Sequence, residues 1–101
     1  MRTQIRIKTD LFDAGRMLMS SGIAASLESE GKQFTDFVFQ SVGRHLLGDW
    51  GDVTEDDKVA NDADLIRGGR LVSAYSNPVG RIWIITEADR SSTTILFPDE
   101  Y

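Results

Sequence analysis

Residues 69–98 read GRLVSAYSNPVGRIWIITEADRSSTTILFP, and this stretch decides the fold. Three short runs rich in β-branched and aromatic side chains lie in it, at residues 70–75, 81–86 and 92–97. Such residues suit a pleated, half-buried surface. Asn77, Pro78 and Gly80 separate the first two runs. Proline presets φ at one turn position, and glycine tolerates a positive φ at another. So short a connection predicts an antiparallel hairpin. The second run is apolar without a break from Ile82 to Ile85, which predicts a central strand covered on both faces. Pro98 removes a backbone donor as the third run ends, which predicts an edge position for that run.

Upstream of this sheet the chain reads as helical cover. Ile5 and Ile7 alternate with Gln4, Arg6 and Lys8, the pattern of a short edge strand whose charges discourage pairing with another chain. In residues 11–21, Leu11, Phe12, Met17, Leu18 and Met19 are interrupted by Gly15 and fit either a loop or a poor helix. Residues 23–30 predict a short helix with Ser21 as N-cap and Gly31 as its stop. Phe34, Phe37, Val38, Val42 and Leu46 recur at helical spacing, predicting the clearest helix over 34–47, with Gly48 as C-cap. Thr54 followed by Asp57 resembles a capping box and opens a third helix. Glu55, Asp56 and Asp57 fill its first turn, where negative charge meets the positive end of the helix dipole. Val59, Ala63 and Ile66 form its expected inner face, and Gly68-Gly69 ends it. The expected fold is a single α+β domain spanning 1–101, with an antiparallel sheet of three to four strands and two to three helices packed mainly on one face.

Composition narrows the function classes. With 101 residues there is material for one core, and 41% hydrophobic with 27% charged residues is an ordinary globular balance. No apolar run approaches the roughly 20 residues of a membrane span, and residues 1–4 open no signal peptide. Cysteine is absent, which excludes disulfides, thiolate metal sites and cysteine nucleophiles, and fits a reducing cytoplasm. The net charge of −5 opposes direct nucleic-acid binding, which needs a basic face. That charge is concentrated. Residues 49–64 hold seven acids (Asp49, Asp52, Glu55, Asp56, Asp57, Asp62, Asp64) against Lys58 alone, so this segment carries −6 and the rest of the chain +1.

Few residues are candidates for chemistry. His45, the lone histidine, has Asp49 nearby as an orienting carboxylate, the pairing a general base requires. Its structural reading is a helix-end histidine facing the last carbonyls. Glu87, Asp89 and Arg90, beside Ser91 and Ser92, fall between the second and third runs. They read as a polar hairpin tip with a local ion pair, or as holders of a metal or phosphate. The acidic run lacks the EF-hand spacing, because Gly51 precedes the acids. A solvated acidic face is one reading of it. The sharper reading is a phosphate-like surface that docks on a basic groove. Trp83 reads as core, and Trp50 either plugs the gap between helix and sheet or stands out as a binding anchor. No GxSxG, P-loop, GxGxxG or HExxH occurs, and no cofactor is expected.

Several blocks resemble a known family. They are Arg44-His45, GDWGD at 48–52, Ala60-Asn61-Asp62, Gly68-Gly69-Arg70-Leu71, Ser73-Ala74-Tyr75 and IWIITEADRS at 82–91. The chain resembles the small "plasmid-related" proteins of bacteria, phages and mobile elements, over residues 44–101. The first forty residues match less, with Ser20-Ser21-Gly22-Ile23 where the family has Thr-Pro-Gly-Ala. The resemblance brings no established activity and no catalytic residues. It implies a mobile-element setting, in which small acidic non-enzymatic proteins often block host defence, as anti-CRISPR and anti-restriction proteins do. Three functions are therefore expected, in this order. The first is an inhibitor presenting Asp49, Trp50, Asp52, Glu55, Asp56 and Asp57 to a host nucleic-acid-binding protein complex. The second is a small hydrolase or nuclease using His45, Asp49, Glu87, Asp89 and Arg90. The third is a structural or homodimerising module with an exposed sheet edge.

Overall fold

The computed structural model describes residues 5–101. The expectations for residues 1–4, the start of the first strand among them, lie outside the described residues. The elements are β1 (Arg6–Lys8), β2 (Asp13–Met19), α1 (Ser21–Ser29), α2 (Lys32–Leu46), α3 (Glu55–Arg67), β3 (Leu71–Asn77), β4 (Gly80–Thr86) and β5 (Ser92–Leu96), then a 3₁₀ turn at Pro98–Glu100. The protein is α+β, with a five-stranded mixed sheet in the order β1-β2-β5-β4-β3.

Three expectations about the sheet are corrected. The sheet has five strands, one more than the expected maximum, and it is not wholly antiparallel, because β2 and β5 run parallel. The third β-rich run is central, lying between β2 and β4. Pro98 follows the last ladder residue, so its missing N–H costs no sheet bond. Residues 13–19, which fit a loop or a poor helix from sequence, form β2. Gly15 explains why alternation is hard to see there. Its φ of +65° breaks the pleat, and a Cβ would collide with the Ser91 carbonyl. The strand thus turns sharply where it crosses the hairpin that leads into β5.

The β3–β4 hairpin and the helix caps follow their local chemistry. The Pro78-Val79 connection pairs Asn77 with Gly80, and the Asn77 side chain accepts from the Val79 and Gly80 amides. Ser20, one residue earlier than expected, caps α1 by accepting from the Ile23 amide. Thr54 caps α3 through the Asp57 amide, and Gly68 ends that helix in the left-handed conformation.

The main core lies between one face of the sheet and α1 with α2. Ile23, Phe34, Phe37 and Val38 pack there on Tyr75, Ile82, Ile84 and Ile95. A second cluster gathers Phe12, Ala14, Trp50 and Leu71. The helix α3 does not join that layer; it lies against the outer edge of β3. Trp83 is half-buried on the opposite sheet face, edge-on to Tyr101 at 5.4 Å, and so is not in the main core as expected.

Candidate functional site

Three regions hold the residues singled out by sequence: the strand centre around His45, the helix α3 with the loop before it, and the turn between β4 and β5. His45 lies on the buried stripe of α2 with Phe34, Phe37, Val38 and Ser41. It has no exposed surface. Its Nδ1 is 2.6 Å from Ser73 Oγ and its Nε2 is 2.9 Å from Thr86 Oγ1. Thr86 Oγ1 in turn lies 2.6 Å from Thr93 Oγ1, and Thr93 donates to the Ala14 carbonyl at 2.7 Å. One proton arrangement satisfies the whole chain. Thr93 spends its proton on Ala14, so Thr86 donates to Thr93. Thr86 must then accept from the His45 Nε2–H, and Nδ1 accepts from the Ser73 hydroxyl. Phe12 and Trp50 flank the ring edge-on at 5.7 and 5.5 Å. Burial lowers the imidazole pKa to about 4, so His45 is neutral at pH 7. The expected helix-end role facing the last carbonyls is corrected: the ring bridges β3 and β4. Both nitrogens are engaged and the ring is sealed from solvent, which leaves no approach for a substrate.

The loop between α2 and α3 is tied down residue by residue. Arg44 forks onto Asp49, with Nε to Oδ2 at 2.7 Å and Nη2 to Oδ1 at 3.1 Å, and its guanidinium lies 4.8 Å over the Tyr75 ring. The Arg44 bond holds the Asp49 carboxyl below the ordinary carboxylate range. Tyr75 donates to the Asp49 carbonyl at 2.6 Å. Gly51 takes φ +73° and bridges Ala74; a Cβ there would strike the Ala74 carbonyl. The loop thereby supplies a short parallel partner to the β3 edge, with the Asp52 amide donating to Ala74 O at 2.7 Å. Trp50 is 3% exposed and donates from Nε1 to Asp62 at 2.9 Å. It is the plug, and its place among the binding residues is corrected. Asp49 faces Arg44, not His45, so the general-base pairing does not form.

The helix α3 is held by polar ties. Asn61 donates to the Val72 carbonyl at 2.9 Å and accepts from the Val72 amide at 3.2 Å, standing in for a neighbouring strand on β3. Arg90, at φ 62°, reaches across to the end of the helix, donating to the Asp64 carbonyl at 2.8 Å and to the Gly69 carbonyl at 2.6 Å. The inner face is therefore Asn61 and Leu65, while Val59 is 68% and Ile66 89% exposed. The expectation that Val59 and Ile66 face inward is corrected, while Ala63 is half-buried. Polar periodicity won over apolar periodicity because the neighbour is a sheet edge with unpaired backbone groups.

The acids divide accordingly. Asp49 is neutralised by Arg44, Glu55 lies 3.3 Å from Lys58, and Asp64 lies 3.5 Å from Arg67. Asp52 accepts from Ser76 at 2.7 Å and remains exposed. Asp56 and Asp57 are exposed and join no ion pair among the described residues. The remaining candidates do not converge on His45. Glu87 pairs with Arg70 at 3.5 Å, so the ion pair expected within the hairpin tip runs to the residue preceding β3 instead. Asp89 accepts from the Ser91 amide, and bonds with Ser91 lower its pKa. Among the described residues no group of three or more His, Asp or Glu is placed to hold a metal, and no helix is long and apolar enough to cross a membrane.

Sequence reasoning missed the bonding roles of Asn61, Asp62, Ser73, Thr86 and Thr93. A usable signal was present: Ser73, Thr86 and Thr93 occupy inward positions of three strands, and His45 lies four residues after Ser41 on the buried stripe. No family model matches this chain, and neither a curated protein nor a solved structure does.

Proposed function

We propose that this chain is a non-enzymatic binding protein of a mobile element, a counter-defence inhibitor that sets the acidic end of α3 against a basic groove of a host nucleic-acid-targeting complex. The observation that carries this reading is the exposure of Asp52, Glu55, Asp56 and Asp57 together at one end of α3, three of them (Asp52, Asp56 and Asp57) without a cationic partner among the described residues. Clustered unpaired carboxylates raise the encounter rate with a cationic surface and repel nucleic acid. The resemblance to plasmid-related proteins supplies the setting. The hydrolase alternative finds no support in the separate partners of His45, Asp49, Glu87, Asp89 and Arg90.

The test begins with affinity capture from nuclease-treated host extract, followed by measurement of nucleic-acid binding by the captured complex at several salt concentrations. Wild-type protein should inhibit, with inhibition weakening as salt rises. The Asp52→Asn, Glu55→Gln, Asp56→Asn and Asp57→Asn quadruple variant should inhibit at least about tenfold less and lose most of that salt dependence. Equal inhibition by both proteins sinks the reading.

A second reading, a homodimerising module, has one observation in its favour. Beside the β1 edge a hollow of about 180 Å³ is lined only by apolar side chains, Ile5, Met19 and the 69%-exposed Phe39 among them. Light scattering at two concentrations separates the two readings.

A further inference from the structure

In α3 the usual roles of the two faces are partly inverted. The side toward the protein carries polar ties beside Leu65: Asn61 bonds to the Val72 backbone and the Asp64 carbonyl accepts from Arg90. The side toward solvent carries Val59 and Ile66 with the half-buried Ala63 between them, spaced i, i+4, i+7. At about 100° per residue these three fall within an arc of roughly 60°. Val59 and Ile66, at 68% and 89% exposure, contribute almost nothing to the core. Around the same helix Glu55 and Asp62 flank the stripe on one side; Asp56 flanks it on the other, with the exposed Arg67 beside it near the C-terminal end.

Resting on the reading above, we infer that α3 docks as an amphipathic helix, with Val59, Ala63 and Ile66 entering an apolar groove of a partner protein whose rim carries Lys or Arg. Charge complementarity selects that partner. Nucleic acid and anionic lipid are both repelled by Glu55, Asp56 and Asp62, and neither a solvated face nor simple phosphate mimicry requires two large β-branched side chains in water. An apolar floor supplies desolvation and a basic rim supplies register, the helix-in-groove mode of recognition. The helix needs no folding on docking, because its hydrogen bonds to β3 already hold it, so the ordering cost of association is small.

The experiment is a titration of the ¹⁵N-labelled full chain with a helical peptide built of leucine on one face and lysine on the other, with a lysine–serine peptide of equal charge as control. The leucine–lysine peptide should shift the amides of Val59, Ala63 and Ile66, and the control should bind at least about tenfold more weakly. The Val59→Ser/Ile66→Ser variant should lose roughly ten- to hundredfold in affinity while its Tm is unchanged. The Glu55→Gln/Asp56→Asn variant should lose affinity and salt dependence. If the serine variant binds as wild type while the charge variant fails, this inference falls and the acidic reading stands. If only the serine variant fails, the stripe stands and the acidic reading falls. A lowered Tm for the serine variant, shifts centred on the β1 hollow, or wild-type oligomers that the serine substitutions dissolve would each overturn the proposed docking face.

Discussion

The strand centre around His45 and the outer surface of α3 break the same rule in opposite directions. One places an imidazole and three hydroxyls where nothing but hydrocarbon is expected; the other places valine and isoleucine in water. The first departure is fully compensated: no buried side-chain nitrogen or oxygen lacks a partner among the described residues. The second has no internal compensation at all. A buried polar group with every bond made is part of how a fold specifies itself. An apolar stripe held outward by polar anchors is, under the docking proposed above, the surface that meets the partner.

That contrast breaks most sharply at the imidazole. His45→Ala removes a buried ring and strands the Ser73 proton and the Thr86 acceptor, so it should cost about 3–5 kcal/mol, read as a fall in the urea midpoint at constant slope. If the loss is under about 1 kcal/mol, the hydroxyl chain repairs itself without the ring.

The titration of His45 gives the next effect. Its folded pKa of about 4 lies below the ordinary value of 6.5, so the unfolded chain binds the extra proton between those values. Stability should be complete above pH 6.5 and decline by about 3 kcal/mol as pH falls to 4. The decline should vanish in His45→Gln. A slope that persists there would move the effect to other groups.

The anchor of α3 should give the smallest change. Asn61→Ala deletes both bonds to Val72 and should cost about 1–3 kcal/mol, with faster amide exchange at Val72 and along α3 but not at Ser73 or Thr86. Exchange that quickens uniformly would mean that the helix and the sheet open as one unit.

These two regions also mark where the sequence can be read and where it cannot. The 78–79 turn, the Thr54 cap and the apolar Ile82–Ile85 strand are local signals, and each chain segment announces them by itself. The inward side of α3 depends on what lies beside it. Hydrophobic spacing points to Val59 and Ile66, but the neighbour is the bare backbone of β3, which rewards Asn61. The strand β2 is hidden for a related reason: Gly15 disrupts its period where Ser91 crosses, and only the distant β5 supplies its parallel partner. For the candidate site, the acid cluster is legible from charge alone. The pairing of Asp49 with Arg44 and the burial of Trp50 need three-dimensional placement.

The position of β5 has a consequence for synthesis. Because the last strand inserts between β2 and β4, the ribbon of β1 and β2 has no neighbour on its inner side until about 70 further residues have been translated. At ribosomal speeds this is a wait of roughly 4–15 seconds. The nascent chain therefore carries an open β2 edge until β5 has been made, and the sheet can close only then.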